Sequence, residues 1–124
     1  MNSLFNSLNR GPIFRLTHAL ALRRQRREVE SWRSKINRRA TVDSSVLVTG
    51  NLAALATVVI GDSTEIQRFG RISLGENPAD RPQLEIGSRV FIGQGVHLTV
   101  MQPLGIGNNT IIGSHCYLLT CQHR

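Results

Sequence analysis

Aromatic side chains are scarce. The chain has four Phe, one Tyr and one Trp, 5% of its 124 residues. An interior built from this composition has to be filled by aliphatic residues. Cysteine is scarcer still. Cys116 and Cys121 are the only two, too few for the disulfide framework of a small secreted domain. Long hydrophobic runs are missing as well. The most apolar stretch, Leu52 to Ile60, is broken by Thr57, whereas a membrane-spanning helix needs about 20 apolar residues. The first residues lack the apolar run and small-residue cleavage site of a secretory signal. These absences lead to the expectation of a cytoplasmic protein. At 124 residues and 40% hydrophobic content, one globular domain is expected.

Acids are missing from one end. No Asp or Glu precedes Glu28, a feature shared with organelle transit peptides. Residues 1–40 hold ten Lys and Arg against Glu28 and Glu30, a net charge of +8. Residues 41–124 hold five Arg against six acids, a net of −1. The chain therefore divides into a basic arm, 1–40, and a nearly neutral body, 41–124. The body carries no basic excess, so no nucleic-acid partner is expected. The stretch Leu22 to Arg39 is either a solvated helix face or a contact for phosphates or acidic lipid headgroups. The second option places the protein at the periphery of an anionic membrane surface.

The arm reads as helical. Gly11-Pro12 punctuates its start, and proline suits the first helical turn. Ile13, Leu16 and Leu20 have helical spacing, and so do Leu22, Val29, Trp32 and Ile36. Residues 20 and 22 lie about 200° apart on a helix, so the two sets share no stripe. Two short helices, or one helix with a broken apolar face, are expected. Trp32 is expected to pack on the body, and His18 to be solvated.

The body is periodic. Steps of six residues from Val42 lead through Val48, Ala54, Ile60, Ile66 and Ile72. After a gap the pattern resumes at Ile86, Ile92 and Leu98, and after a second gap at Ile106, Ile112 and Leu118. Eleven of these twelve positions are large aliphatics, and only Ala54 is weak. Glycine directly follows Ile60, Ile86, Ile92, Ile106 and Ile112. A period of six is neither that of a helix nor that of plain strand alternation. It fits a chain that makes a short strand and turns at a fixed interval. Three such sides close a triangular coil, and coils stack at about 4.8 Å. Four coils are expected, at 42–59, 60–77, 86–105 and 106–123. Residues 78–85 form a projecting loop, and extra residues near Pro103 widen one corner. Four positions after the aliphatics the residue is often small or apolar, as at Val46, Leu52, Val58, Thr64, Val90, Val96, Thr110 and Cys116, and Cys116 on this inward slot is expected in the core.

The body resembles the hexapeptide-repeat acyltransferases, whose fold is a left-handed parallel β-helix. The segments Ile86-Gly87-Ser88-Arg89-Val90-Phe91-Ile92-Gly93 and Ile106-Gly107-Asn108-Asn109-Thr110-Ile111-Ile112-Gly113 are typical of that family. The resemblance covers residues 42–124. Tyr117-Leu118-Leu119-Thr120-Cys121-Gln122-His123 is similar to the stretch before the catalytic histidine of sugar O-acetyltransferases acting on exopolysaccharide, lipopolysaccharide and Nod-factor precursors. The match implies that His123 is the general base, that acetyl-CoA or another acyl-CoA is the co-substrate, and that no metal is needed. It also implies a sugar or polysaccharide-precursor acceptor, direct transfer without an acyl-enzyme, and a homotrimer with sites between subunits. Relatives of this type follow the histidine with further coils. Arg124 is the last residue here, and the chain is expected to correspond to the N-terminal part of such an enzyme.

An imidazole suits the chemistry, since its ordinary pKa is about 6.5. It can take the acceptor's hydroxyl proton as the oxygen attacks the thioester, and backbone N–H groups at a coil corner could hold the oxyanion. Two other readings remain open. One is a β-helical structural or interaction module without chemistry. The other is a zinc-dependent hexapeptide carbonic anhydrase, for which His97, His115 and His123 would be the candidate ligands. Cys116 falls on an inward position and Cys121 on an outward one.

Overall fold

The computed structural model describes residues 12–121, with side chains from Ala19 onward. It is an all-parallel β-solenoid of about three turns, preceded by a helix. Helix α1 (Pro12–Ile36) is a single unbroken element rather than two. After Pro12 it contains neither glycine nor proline. Arg33 and Lys35 sit in its last turn, where cations complement the helix dipole. Asn37 follows, and its side chain accepts a hydrogen bond from the Val42 N–H at 2.9 Å. That bond ties the end of the helix to the first strand.

Eleven short strands follow. They are β1 (Thr41–Val42), β2 (Leu47–Gly50), β3 (Val59–Ile60), β4 (Glu65–Ile66), β5 (Arg71–Leu74), β6 (Leu84–Ile86), β7 (Phe91–Ile92), β8 (His97–Val100), β9 (Leu104–Ile106), β10 (Ile111–Ile112) and β11 (Tyr117–Thr120). Every third strand pairs in parallel, giving three sheets ordered β1-β4-β7-β10, β2-β5-β8-β11 and β3-β6-β9. The first is called side A, the second side B and the third side C.

The hexad aliphatics become ladders. Val42, Ile66, Ile92 and Ile112 stand in register on side A. Val48, Ile72, Leu98 and Leu118 do so on side B, and Ile60, Ile86 and Ile106 on side C. The middle rungs are buried, with Ile72, Ile86 and Ile92 almost fully enclosed, and Val48, Ile60, Ile112 and Leu118 nearer the ends are partly buried. Of the residues four positions after the aliphatics, Val46, Thr64, Val90 and Val96 are buried, whereas Leu52, Val58 and Thr110 are only partly so.

The twelfth position is the exception, and it corrects the coil boundaries. Ala54 stands on no ladder. It lies in a 3-10 helix, Leu52–Thr57, started by Asn51, whose side chain accepts from the Ala53 N–H. Side C of the first turn is Ile60 instead. Successive turns therefore start at Thr41, Glu65, Phe91 and Ile111, not at the coil starts expected from uniform steps. The projecting loop is shifted too. Residues 78–85 were expected in it, but Leu84 and Glu85 belong to β6 and Leu84 is fully buried. The loop runs over 75–83.

The corners repeat as strictly as the strands. Ser63, Arg89 and Asn109 precede side A with φ between 56° and 60°. Phe69, Gly95 and His115 precede side B with φ between 61° and 70°. Asp43 holds the first A-to-B corner by accepting from both the N–H and the hydroxyl of Ser45. Those bonds keep its carboxyl below the usual aspartate value. Glycine after the aliphatic serves close stacking. A Cβ on Gly61 would stand 2.6 Å from the Ser88 nitrogen and 2.6 Å from the Gly87 carbonyl carbon.

Helix α1 closes the first turn from below. Val29, Trp32 and Ile36 pack against the solenoid core, and Arg33 Nη2 donates to the Val46 carbonyl at 2.8 Å. Trp32 thus packs on the body as expected. Among the described residues no helix is long and apolar enough to cross a membrane.

Candidate functional site

The segment that leads to His123 is β11. It pairs with β8 so that Tyr117, Leu118, Leu119 and Thr120 oppose His97, Leu98, Thr99 and Val100. Alternation sends Leu118 to the ladder and Tyr117 and Leu119 outward. The end of the strand is clamped. The Thr120 hydroxyl donates to the Gln102 carbonyl at 2.7 Å and accepts from the Gln102 N–H at 3.3 Å. The Met101 N–H donates to the Thr120 carbonyl. His123 itself lies outside the described residues, as do Gln122 and Arg124.

On the outer face of side B a polar cluster stands just before that clamp. Thr99 is buried, and its hydroxyl donates to the Tyr117 hydroxyl at 3.0 Å. The His97 ring, half-buried, lies 6.1 Å from the Tyr117 ring at a 58° tilt. One rung further down, the hydroxyls of Thr49 and Ser73 share a 2.9 Å hydrogen bond. Side B therefore carries hydroxyl groups on each of its four strands, ending at an exposed tyrosine. Sequence periodicity did not single out Tyr117 or Thr99. They stand in neighbouring columns, and only the reach of the phenol joins them.

The remaining expected residues are dispersed. His115 sits at an outward corner with φ of 61°, and its ring lies over Gly95. Cys121 is exposed. Cys116 occupies the inward corner position but is exposed rather than core, because among the described residues no further rung covers that corner. His18 lies in α1 outside the described side chains. Among the described residues, no group of three His, Cys, Asp or Glu side chains could hold a metal ion.

The corner N–H groups are occupied. Those of Arg89, Asn109, Gly95 and His115 donate to the carbonyls of Asp62, Ser88, Arg68 and Gln94 one turn below. An oxyanion would have to find its donors elsewhere than at these four positions. A cleft of about 530 Å³ does exist, but at the other end of side B. It lies between α1 and β2, lined in part by Leu22, Arg26, Val29, Arg33, Leu47 and Thr49. Its lining contains no histidine or cysteine.

No family model, curated protein or solved structure matches this chain.

Proposed function

We propose that the protein is an acyltransferase of the hexapeptide-repeat class. It moves an acetyl or other acyl group from acyl-CoA to a hydroxyl of a sugar or similar acceptor, with His123 as general base. The observation that carries this reading is the stacking of eleven hexad aliphatics into three parallel ladders, the last rung of which runs into Thr120-Cys121-Gln122-His123. Within this reading the coil is left-handed, the working form is a cytoplasmic homotrimer, and no metal takes part. Clamping of Thr120 at Gln102 supports it further, since a base only three residues beyond a tethered strand end loses less freedom on engaging substrate.

The chemistry balances without a covalent enzyme intermediate. The imidazole of His123 takes the acceptor's hydroxyl proton as that oxygen bonds to the thioester carbonyl carbon. The carbon–sulfur bond then breaks, and the imidazolium returns the proton to the departing sulfur. The products are the O-acyl sugar and free coenzyme A.

One observation favours a second reading, a β-helical interaction module without chemistry. The corner N–H groups of Arg89, Asn109, Gly95 and His115 already serve the solenoid. The two readings separate in one experiment. The full chain is incubated with acetyl-CoA and an oligosaccharide acceptor, and acetyl gain is read by mass spectrometry. The acyltransferase reading expects turnover, and His123→Ala should lower it by about 10²–10⁴-fold, the usual worth of a general base. Absence of both coenzyme A binding and acetyl gain would leave the module. Turnover unchanged in His123→Ala would remove His123 from the reaction.

A further inference from the structure

Eight basic residues lie between Arg23 and Arg39, opposed only by Glu28 and Glu30. Helix α1 mounts most of this charge on a rod seated at one end. Its last turns rest on the solenoid through Val29, Trp32 and Ile36, whereas every residue from Ala19 to Glu28 is exposed. At 3.6 residues per turn, Leu20, Arg23, Arg24 and Arg27 fall within about a third of the helix circumference. That arc is opposite the one carrying Val29, Trp32 and Ile36.

Two features of the arc point to a ligand rather than to plain solvation. Arg23 and Arg27 are neighbours at i and i+4, a like-charge pair that disfavours the helix. A face arranged for stability alone would alternate the signs. Leu20, on the same arc, is 53% exposed, so an apolar group stands beside the cations. A belt of arginine next to exposed leucine matches the layering of an anionic bilayer, with phosphates outside and the acyl boundary beneath. A nucleic acid would be met instead by stacking aromatics. Residues 19–31 include none, and Trp32 packs on the solenoid.

We propose that helix α1 docks the protein on an anionic phospholipid surface, with Arg23, Arg24 and Arg27 on the phosphates and Leu20 in the acyl boundary. Docking is peripheral, since no described helix can span the bilayer. The inference does not depend on acyl transfer.

The test is sedimentation of the full chain with vesicles of phosphatidylcholine alone or mixed with phosphatidylglycerol. The protein should pellet with the mixed vesicles only, and added salt should release it. Each basic residue near such a surface is worth roughly fivefold in partitioning. The variant Arg23→Gln/Arg24→Gln/Arg27→Gln should therefore bind about a hundredfold more weakly, with unchanged circular dichroism. Leu20→Ser should weaken vesicle binding but leave retention on a heparin column as it was. Equal binding to neutral vesicles, indifference to salt, or an unaffected triple variant would overturn the proposal. Preference for a single-stranded RNA over the mixed vesicles would overturn it in favour of nucleic acid.

Discussion

At the scale of single residues, the solenoid depends on what is absent as much as on what is present. Gly61 has no room for a side chain because the next turn's backbone approaches within 2.6 Å of where a Cβ would sit. Backbone cannot swing aside as a flexible side chain can. Gly61→Ala should destabilise the protein by about 1–3 kcal/mol, the usual cost of overpacking. Gly105 makes the control. A Cβ there meets nothing within 4 Å, and Gly105→Ala should stay within about 0.5 kcal/mol of the parent. Urea denaturation of the two variants decides the matter. Equal stabilities would mean that the turns are not stacked as described. The sequence made this glycine visible because it directly follows a ladder isoleucine, a position repeated along the chain. Tyr117 and Thr99 were not visible in the same way. Their register partners are His97 and Leu119, and the bond between them runs diagonally.

At the scale of elements, the loop at 75–83 shows how a single carboxylate organises an insertion. Asp80 accepts from the N–H groups of Glu76 and Asn77 at 2.8 and 2.9 Å. Arg81 donates to the carbonyls of Pro78 and Asp80. The two backbone hydrogen bonds to Asp80 hold its carboxyl below the ordinary 3.8. A depressed carboxyl pKa means that the loop gains from the charged form. That gain is fully present above the unfolded value and is lost as pH falls through the lower folded value. The amide resonances of Glu76 and Asn77 should therefore titrate with a midpoint below 3.8, and in Asp80→Asn they should not titrate in that range. A midpoint at or above the ordinary value would remove Asp80 from its role. The 3-10 helix illustrates the opposite case, an element that periodicity conceals. Leu52–Thr57 is six residues long, the same as one hexad step. Its insertion leaves the count of six undisturbed, and Ala54 takes the place of a ladder residue without being one. The loop and the short insertion after β8 differ in length from a hexad, and both announce themselves as breaks in the pattern.

At the scale of the whole molecule, two parts divide the work. The body supplies three stacked parallel sheets, and the arm supplies the excess of positive charge. That division was legible from composition alone, because the charge changes from +8 to −1 at about residue 40. The parallel ladders were legible as well, because one buried aliphatic per side is what a solenoid needs and little else tolerates. The position of each turn was not legible, since it depends on which hexad is replaced by the 3-10 helix. His123 became a candidate through its motif, and the structure adds the clamp at Thr120 that leads toward it.

The register of the ladders can be read from scalar couplings across hydrogen bonds in NMR spectra of the unmodified chain. Couplings are expected from the Asp43 nitrogen to the Ile66 carbonyl and from the Gly61 nitrogen to the Ile86 carbonyl, where the N···O distances are 3.0 and 2.8 Å. A coupling from Asp43 to the Ile60 carbonyl, the partner demanded if every hexad including Ala54 formed a side, would contradict that register.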